Sequence, residues 1–347
     1  SHFLGTRFHP GGERRWPVGG TRPGAARVER GGAATADSRS TALHPSIRLM
    51  ALSVIAAAKI NLDLRVLGRR SDGYHEVRTL LQTIDLADEI RAAEAPSDFL
   101  DLRVEPAGAV SSGSDNLMIR AAEALQRHTG VEAGARLELV KRIPIGAGLG
   151  GGSADAAATL VILDVLWGLN LERSEMHALA ADLGSDVPFF LTGGLALATG
   201  RGEVIRPLPD LVDSCVVVCT PPVQVATADV YDLFATGSWL TSPGPKANVE
   251  AFAAGLDRAG TIEPPWQELG NDLEPVVAEK WPEVGRAVTA LKAMGPLCAT
   301  VTGSGAAAFA VFPDLEAAGN GPDGLDPSWN VHVGFTLGRS RGRPVVK

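Results

Sequence analysis

The residues with the most chemical content are a crowded set of glycines. Gly146, Gly148, Gly150, Gly151 and Gly152 fall within seven positions, between an alternating strand-like stretch and a long apolar helical one. An ordinary tight turn needs one or two glycines. Without Cβ atoms, successive backbone amides can point into one concavity. A helix starting near Ser153 adds unpaired N–H groups and the positive end of its dipole. The combination predicts an anion site suited to a polyphosphate. The competing account is a flexible linker, but no polar spacer separates these glycines from the helix.

The identity of the phosphate ligand is a separate question. Gly146, Gly148 and Gly151 satisfy G-x-G-x-x-G, a dinucleotide fingerprint that is weak alone. That fingerprint normally closes the first strand–turn–helix of a βαβ unit. Here about 95 patterned residues precede it, and Pro144 lies in the loop. Asp164, near the spacing of a ribose-binding acid, falls inside the apolar helix. A Walker A loop would end in Gly-Lys-Ser/Thr. This one runs Gly151-Gly152-Ser153-Ala154, so a lysine for ATP must come from elsewhere.

Lys59 can supply it, inside Ala56-Ala-Ala-Lys-Ile-Asn-Leu-Asp-Leu64. An ammonium among apolar neighbours is costly unless it meets an anion. Lys59 either snorkels from an edge strand or stands near a phosphoryl donor or an acidic catalyst. Asn61, two residues on, faces the same side of an ideal strand. Asp186, in Gly184-Ser-Asp-Val-Pro188, lies between a helix end and an apolar segment. It is either a turn or cap aspartate or an acid that orients a hydroxyl and takes its proton.

The elements that must position these residues come from a chain of 347 residues, 45% hydrophobic and 21% charged. That size favours two domains over a single core. The formal charge is -8, but residues 1–50 carry about +5. A body this acidic, with no concentrated basic run, argues against nucleic acid as partner. No apolar run reaches the ~18 residues of a membrane span. Three cysteines, Cys215, Cys219 and Cys298, fit a reducing, cytoplasmic compartment better than a disulfide scaffold. Cys215 and Cys219 read as core packing.

Residues 1–49, rich in Gly, Pro and Arg, read as a disordered leader or appended sequence, with Met50 a candidate start. Residues 50–208 form the expected nucleotide-binding and catalytic domain. Strands are expected at 52–66, with a break near Ala57–Ala58, and at 76–84 and 88–92, with Asp85–Asp88 as a turn. A helix at 116–128 is capped by Ser114 or Asp115. A strand follows at 135–141, then helices at 154–167 and 172–183, and a strand pair around Gly200-Arg201-Gly202. Residues 209–338 form the expected substrate-binding domain. It has a buried strand at 215–219, helices at 229–235 and 276–294, and a second glycine turn within 299–312. A last strand covers 330–337. Residues 339–347 read as a tail, and 236–247 as a Pro/Gly loop.

In this order the segments resemble the GHMP kinase superfamily, over about residues 52–337. The carrying motifs are Ala58-Lys-Ile-Asn-Leu62, then Gly68-Arg-Arg-Ser-Asp-Gly-Tyr-His-Glu76. The loop 144–157, Gly184-Ser-Asp-Val-Pro188 and Thr302-Gly-Ser-Gly-Ala306 complete the set. The resemblance implies an α+β fold in two domains, ribosomal-protein-S5-domain-2-like then ferredoxin-like. It implies an ATP- and Mg²⁺-dependent small-molecule kinase, a monomer or homodimer. The Asp72-Gly-Tyr-His75 run favours the branch whose acceptor bears a cytidine diphosphate over homoserine or mevalonate kinases; a sugar kinase is a further alternative, and a non-catalytic nucleotide-binding regulator would be marked by a missing lysine or aspartate, and neither is missing here.

By the same resemblance, Lys59 and Asp186 form the catalytic pair and Asn61 contacts the acceptor. Tyr74 stacks on cytosine and His75 bonds its polar edge, with Thr227 and Tyr231 in the same pocket. Asn116 lies near adenine. Pro144, Gly146, Gly148, Leu149, Gly150, Gly151, Gly152 and Ser153 hold the nucleotide, with Ser153 near Mg²⁺. Gly303, Ser304 and Gly305 shape the acceptor side. Read without the resemblance, Asn116 is a helix-start residue, Tyr74 a half-buried aromatic, and Thr227 and Tyr231 packing groups four apart.

Overall fold

The computed structural model describes residues 52–97, 99–211, 213–237, 265–319 and 321–347. The leader, the start at Met50 and positions 238–247 of the Pro/Gly loop lie outside the described residues. No helix among the described residues is long and apolar enough to cross a membrane.

The chain opens with two long antiparallel strands, β1 (Leu52–Arg69) and β2 (His75–Ala95), joined by the polar turn around Asp72 and Gly73. The expected break at Ala57–Ala58 is a register shift between Ala57 and Lys59 inside an unbroken strand. Such a bulge re-aims the side chains that follow it. The expected turn at Asp85–Asp88 does not exist, because β2 runs straight through it. Its two aspartates have partners, Asp85 at the surface and Asp88 in the core. Asp85 Oδ1 meets His332 Nε2 at 2.8 Å. Asp88 is fully buried, and its Oδ1 accepts the backbone N–H of Arg142 and of Ile143.

Strands β3 (Leu100–Glu105), β4 (Gly134–Val140), β5 (Leu195–Thr199) and β6 (Val204–Pro207) complete this sheet, in the order β3-β4-β2-β5-β6 with β1 also on β2. Helices α1 (Leu117–Thr129), α2 (Gly151–Leu166), α3 (Arg173–Leu183) and α4 (Val187–Thr192) belong to the same half of the chain. The cap of α1 is Asn116, not Ser114 or Asp115. Its Oδ1 accepts the amide of Met118 at 2.8 Å. Ser111 engages the Asp115 carboxylate at 2.5 Å, which leaves that side chain outside the capping position.

The second half contains β7 (Cys215–Thr220), α5 (Thr227–Thr236), α6 (Glu274–Lys280), α7 (Pro282–Ala293), β8 (Cys298–Val301), β9 (Ala308–Phe312) and β10 (Asn330–Phe335). The strands form an antiparallel sheet in the order β10-β7-β9-β8. The helix expected over 276–294 is two helices, broken at Trp281–Pro282. Proline lacks the N–H that would continue the first helix, and it suits the first turn of the next.

The period-two alternation of strands explains the layering. On β7, Val216 and Val218 join Ile60, Leu62, Leu80, Phe309 and Val311 in the core between the two sheets. Cys215, Val217 and Cys219 point the other way and pack with Phe234, Val277, Leu291 and Phe312. Both faces are buried, so this strand reads as a continuous apolar run. A third core joins the helices α1–α4 to the first sheet through Leu125, Leu137, Leu160 and Phe189. Cys215, Cys219 and Cys298 are buried and free, and burial pushes Cys219 and Cys298 each up to about 12. The stretch read as a tail is docked. It forms a turn of helix at Arg339–Gly342, and Lys347 exchanges both backbone hydrogen bonds with Ser53.

Candidate active site

Lys59 sits on β1 just past the bulge, 3% exposed. It does not snorkel to solvent. Its Nζ donates to Asn61 Oδ1 at 2.6 Å and to the carbonyl of Gly148 at 2.7 Å, and Asp186 Oδ2 lies 3.6 Å away. Burial pulls the Lys59 ammonium below its ordinary range, and the Asp186 carboxylate opposes that pull. Asp186 occupies the cap position of α4, but its side chain makes no cap hydrogen bond. The carboxylate turns toward Lys59 and stays 38% exposed. It is thus anchored on one side and open on the other.

Asn61 ties this pair to the rest of the floor. Its Nδ2 donates to Thr79 Oγ1 at 2.8 Å, and its backbone N–H donates to Thr302 Oγ1 at 3.1 Å. The Thr302 hydroxyl lies 3.1 Å from Asn61 Oδ1 and 3.2 Å from the Gly148 carbonyl. Each buried polar atom here has a partner, which keeps the network rigid.

The glycine loop crosses this floor. Gly146, Gly148 and Gly150 have φ of 65°, 75° and 72°, where a side chain is strained. Gly148 also lacks room, because a Cβ there would lie 2.1 Å from the Thr302 carbonyl oxygen. The Ala306 N–H donates to the Gly146 carbonyl at 3.4 Å and the Ala307 N–H to the Ala147 carbonyl at 3.0 Å, so the loop is laced to the end of the Thr302–Ala306 turn. Helix α2 begins at Gly151 with Gly150 as its cap residue and no side-chain cap bond. Gly151, Gly152 and Ser153 line an open cleft of about 880 Å³. Free N–H groups at the start of a 16-residue helix make this wall a candidate anion site.

Lys59, Asn61, Tyr74, His75, Asn116, Pro144, Gly146, Gly148, Leu149, Gly150, Gly151, Gly152, Ser153, Asp186, Thr227, Tyr231, Gly303 and Ser304 all line this cleft. Gly305 is not among its lining residues. It turns toward Val277 and Val301, where a Cβ would meet Val277 Cγ1 at 3.2 Å. Asn116 reaches the cleft while both its polar ends serve locally, with Nδ2 donating to the Ser111 carbonyl at 2.6 Å. At the opposite rim the His75 imidazole stacks on Tyr231, centroids 4.9 Å apart at 27°. Tyr74 is 54% exposed, with the Arg201 guanidinium 4.9 Å over its ring. The hydroxyls of Thr227 and Ser304 meet at 2.8 Å. Burial first, then Arg69, pulls His75 below its usual range.

Several cleft residues escaped sequence reasoning. Lys141 donates to Asp88 Oδ2 at 2.7 Å and to Asp155 Oδ2 at 2.6 Å. Desolvation pushes the Asp155 carboxyl up to about 7, and Asp155 Oδ1 has no hydrogen-bond partner. Arg201 also lines the cleft. The dipeptide Ala154-Asp155 carries no pattern that marks a lysine partner. Only the glycines around Arg201 hinted at a close approach, and Gly202 does lie against Asp186, with a Cβ position 3.7 Å from Oδ1. Among the described residues no group of three or more His, Cys, Asp or Glu could hold a metal by itself.

Comparison with known proteins identifies the family and the fold. A model of the GHMP kinases N terminal domain matches residues 116–194, and one of GHMP kinases C terminal matches 252–326. The 4-diphosphocytidyl-2-C-methyl-D-erythritol kinase of Pelotomaculum thermopropionicum is 44% identical over 269 residues, covering 78% of this chain and 92% of that protein. The enzyme of the same name from Synechococcus sp. (strain JA-3-3Ab) is 41% identical over 281 residues, covering 80% and 90%. A crystal structure of 4-(cytidine 5'-diphospho)-2C-methyl-D-erythritol kinase superposes with a TM-score of 0.67 at 36% identity, over 82% of this chain and 99% of that one. A homoserine kinase from Cytophaga hutchinsonii, at 20% identity and a TM-score of 0.63 over 86% and 97% of the chains, shares the fold.

Two outcomes test this geometry. Gly148→Ala forces a Cβ onto the Thr302 carbonyl, so it should lower kcat/KM by about 10²-fold through misplacement of the loop. Steady-state kinetics on folded protein check this. The second concerns pH. Asp155 is held up to about 7 in the fold, against 3.8 when free. Between those values the folded chain keeps a proton that the unfolded chain has released. The resulting stabilisation is full below 3.8 and lost as pH rises through about 7. Urea denaturation across that window should show a decline in the wild type that Asp155→Asn lacks. Equal slopes would mean that Asp155 does not titrate there.

Proposed function

The chain belongs to the 4-diphosphocytidyl-2-C-methyl-D-erythritol kinases of the GHMP kinase family, and from that premise we propose its reaction. It transfers the γ-phosphoryl group of ATP to the C2 hydroxyl of 4-diphosphocytidyl-2-C-methyl-D-erythritol, a step of non-mevalonate isoprenoid precursor synthesis. The observation that carries this reading is the Lys59–Asp186 contact at 3.6 Å, on a floor that also holds the Gly148 carbonyl. A phosphoryl donor on the loop and a hydroxyl at Asp186 would share one cleft.

Phosphoryl transfer asks the protein for positioning and charge compensation more than for covalent chemistry. The amides at the start of α2 receive the donor phosphates and stabilise charge on their oxygens. The acceptor oxygen forms a bond to the γ-phosphorus, and the bond to the β–γ bridging oxygen breaks, with its electron pair leaving on ADP. Asp186 orients the hydroxyl and takes its proton. Lys59 offsets the charge that gathers between the carboxylate and the phosphoryl group. Mg²⁺ carried by the nucleotide supplies further positive charge, and the Ser153 hydroxyl is the loop group that would hold it beside the phosphates.

The rim accounts for the other end of the acceptor. His75, held below its usual range by burial, is neutral near pH 7 and can both donate and accept at a pyrimidine edge. Tyr74 and Tyr231 offer ring faces, with Thr227 beside them.

Asp186→Ala should lower kcat by roughly 10²–10⁴-fold. Turnover near that of the wild type in a folded variant would remove Asp186 from the chemistry. Assays of the wild type across the cytidine diphosphate acceptor, homoserine, mevalonate and a sugar decide specificity. Higher kcat/KM for another acceptor would overturn the assignment. ATP binding without product from any acceptor would point to a non-catalytic regulator.

A further inference from the structure

The buried cluster of Asp88, Lys141 and Asp155 is not used by the chemistry above, yet it borders the same cleft. Lys141 follows β4, and its side chain is 5% exposed. It reaches Asp88 on β2 at 2.7 Å and Asp155 on α2 at 2.6 Å. Asp88 also accepts the amides of Arg142 and Ile143, so one carboxylate fixes the chain that leads into the glycine loop. A single ammonium therefore joins β2, the approach to the loop and the first turns of α2.

Its placement against the loop is close. The Lys141 Nζ lies 2.9 Å from where a Cβ of Gly151 would stand. Glycine at the first position of α2 is what allows the ammonium to back onto that turn. With hydrogen bonds to both Asp88 and Asp155, the lysine has little donor capacity left over for a phosphate. The cluster is thus poorly suited to bind an anion directly and well suited to hold backbone in place.

We propose that Lys141 is a positioning residue for the phosphoryl donor: held between Asp88 and Asp155, it fixes the first turn of α2 beneath the nucleotide's phosphates. The proposal rests on the loop being the donor's cradle. It assigns Lys141 no contact with the reacting atoms. Loosening that turn splays the free amides, so the loss falls on ATP and spares the acceptor.

The test uses Lys141→Met and Asp155→Ala, with Asp155→Asn as the conservative variant that keeps an oxygen for the ammonium. Lys141→Met and Asp155→Ala should each raise KM for ATP by about 10-fold or more, the scale of a lost buried charge-assisted bond. KM for the acceptor should stay within about twofold in the same proteins, and Asp155→Asn should keep KM for ATP within about threefold of the wild type. Calorimetry with ADP should show the same weakening, and calorimetry with cytidine diphosphate should show none. A variant that loses kcat or stability with both KM values unchanged, or with both raised alike, would overturn the proposal. If Lys141→Met does not fold, the two Asp155 variants give the same comparison. ADP binding does not depend on which acceptor is used, so failure here leaves the acceptor assignment standing, and the reverse also holds.

Discussion

A buried ammonium organises this molecule. Lys59 lies in a stretch of alanine, isoleucine and leucine, where an unpaired charge would cost several kcal/mol. The fold meets that cost with acceptors from three separate elements: Asn61 on β1, the Gly148 carbonyl in the loop, and Asp186 at the start of α4. None of these can move far without stranding the charge. The same contacts that make Lys59 tolerable also bring the loop and the acid within one side chain's reach. Under the proposed function, stability and catalysis are coupled at this residue.

A second constraint is steric. The glycine loop and the Thr302–Ala306 turn press together so closely that Gly148 has no room for a single added carbon beside the Thr302 carbonyl. The Thr302 hydroxyl then joins the network of Asn61 and Gly148. This explains why two glycine motifs far apart in the chain occur together. Each supplies the backbone room that the other needs. The sheets add the rigidity, since β1 over residues 56–66 and β2 over residues 79–84 are buried on both faces.

The charges of the cleft are arranged unevenly along it. Lys59 and Lys141 are both buried and both committed to carboxylates, at opposite sides of Gly150 and Gly151. At the glycine-loop end the remaining positive potential comes from backbone amides at the start of α2. Under the proposed function such amides would hold phosphate without the flexibility or desolvation cost of a lysine head group. At the other end the lining is aromatic, with Tyr74, His75 and Tyr231 near Arg201. One cleft thus presents an anion cradle and an aromatic rim, with the acid between them.

Much of this was legible in the amino-acid order because it depends on local rules. Glycine density before an apolar helix marks a loop where backbone amides can converge, whatever surrounds it. Three consecutive valines between cysteines at 215–219 mark a strand buried on both faces, and a lysine among alanines demands a partner. Other features were decided only in three dimensions. Asp85 and Asp88 look like turn residues until β2 and its neighbours supply their partners. Asn116 displaces Ser114 and Asp115 as cap through the local geometry of the preceding loop. Tyr231 meets His75, and Lys141 meets Asp88 and Asp155, through packing rather than spacing. The difference is physical. Torsional preference and side-chain period are properties of a few consecutive residues, whereas a partner 53 or 89 positions away exists only once the core has brought the strands together.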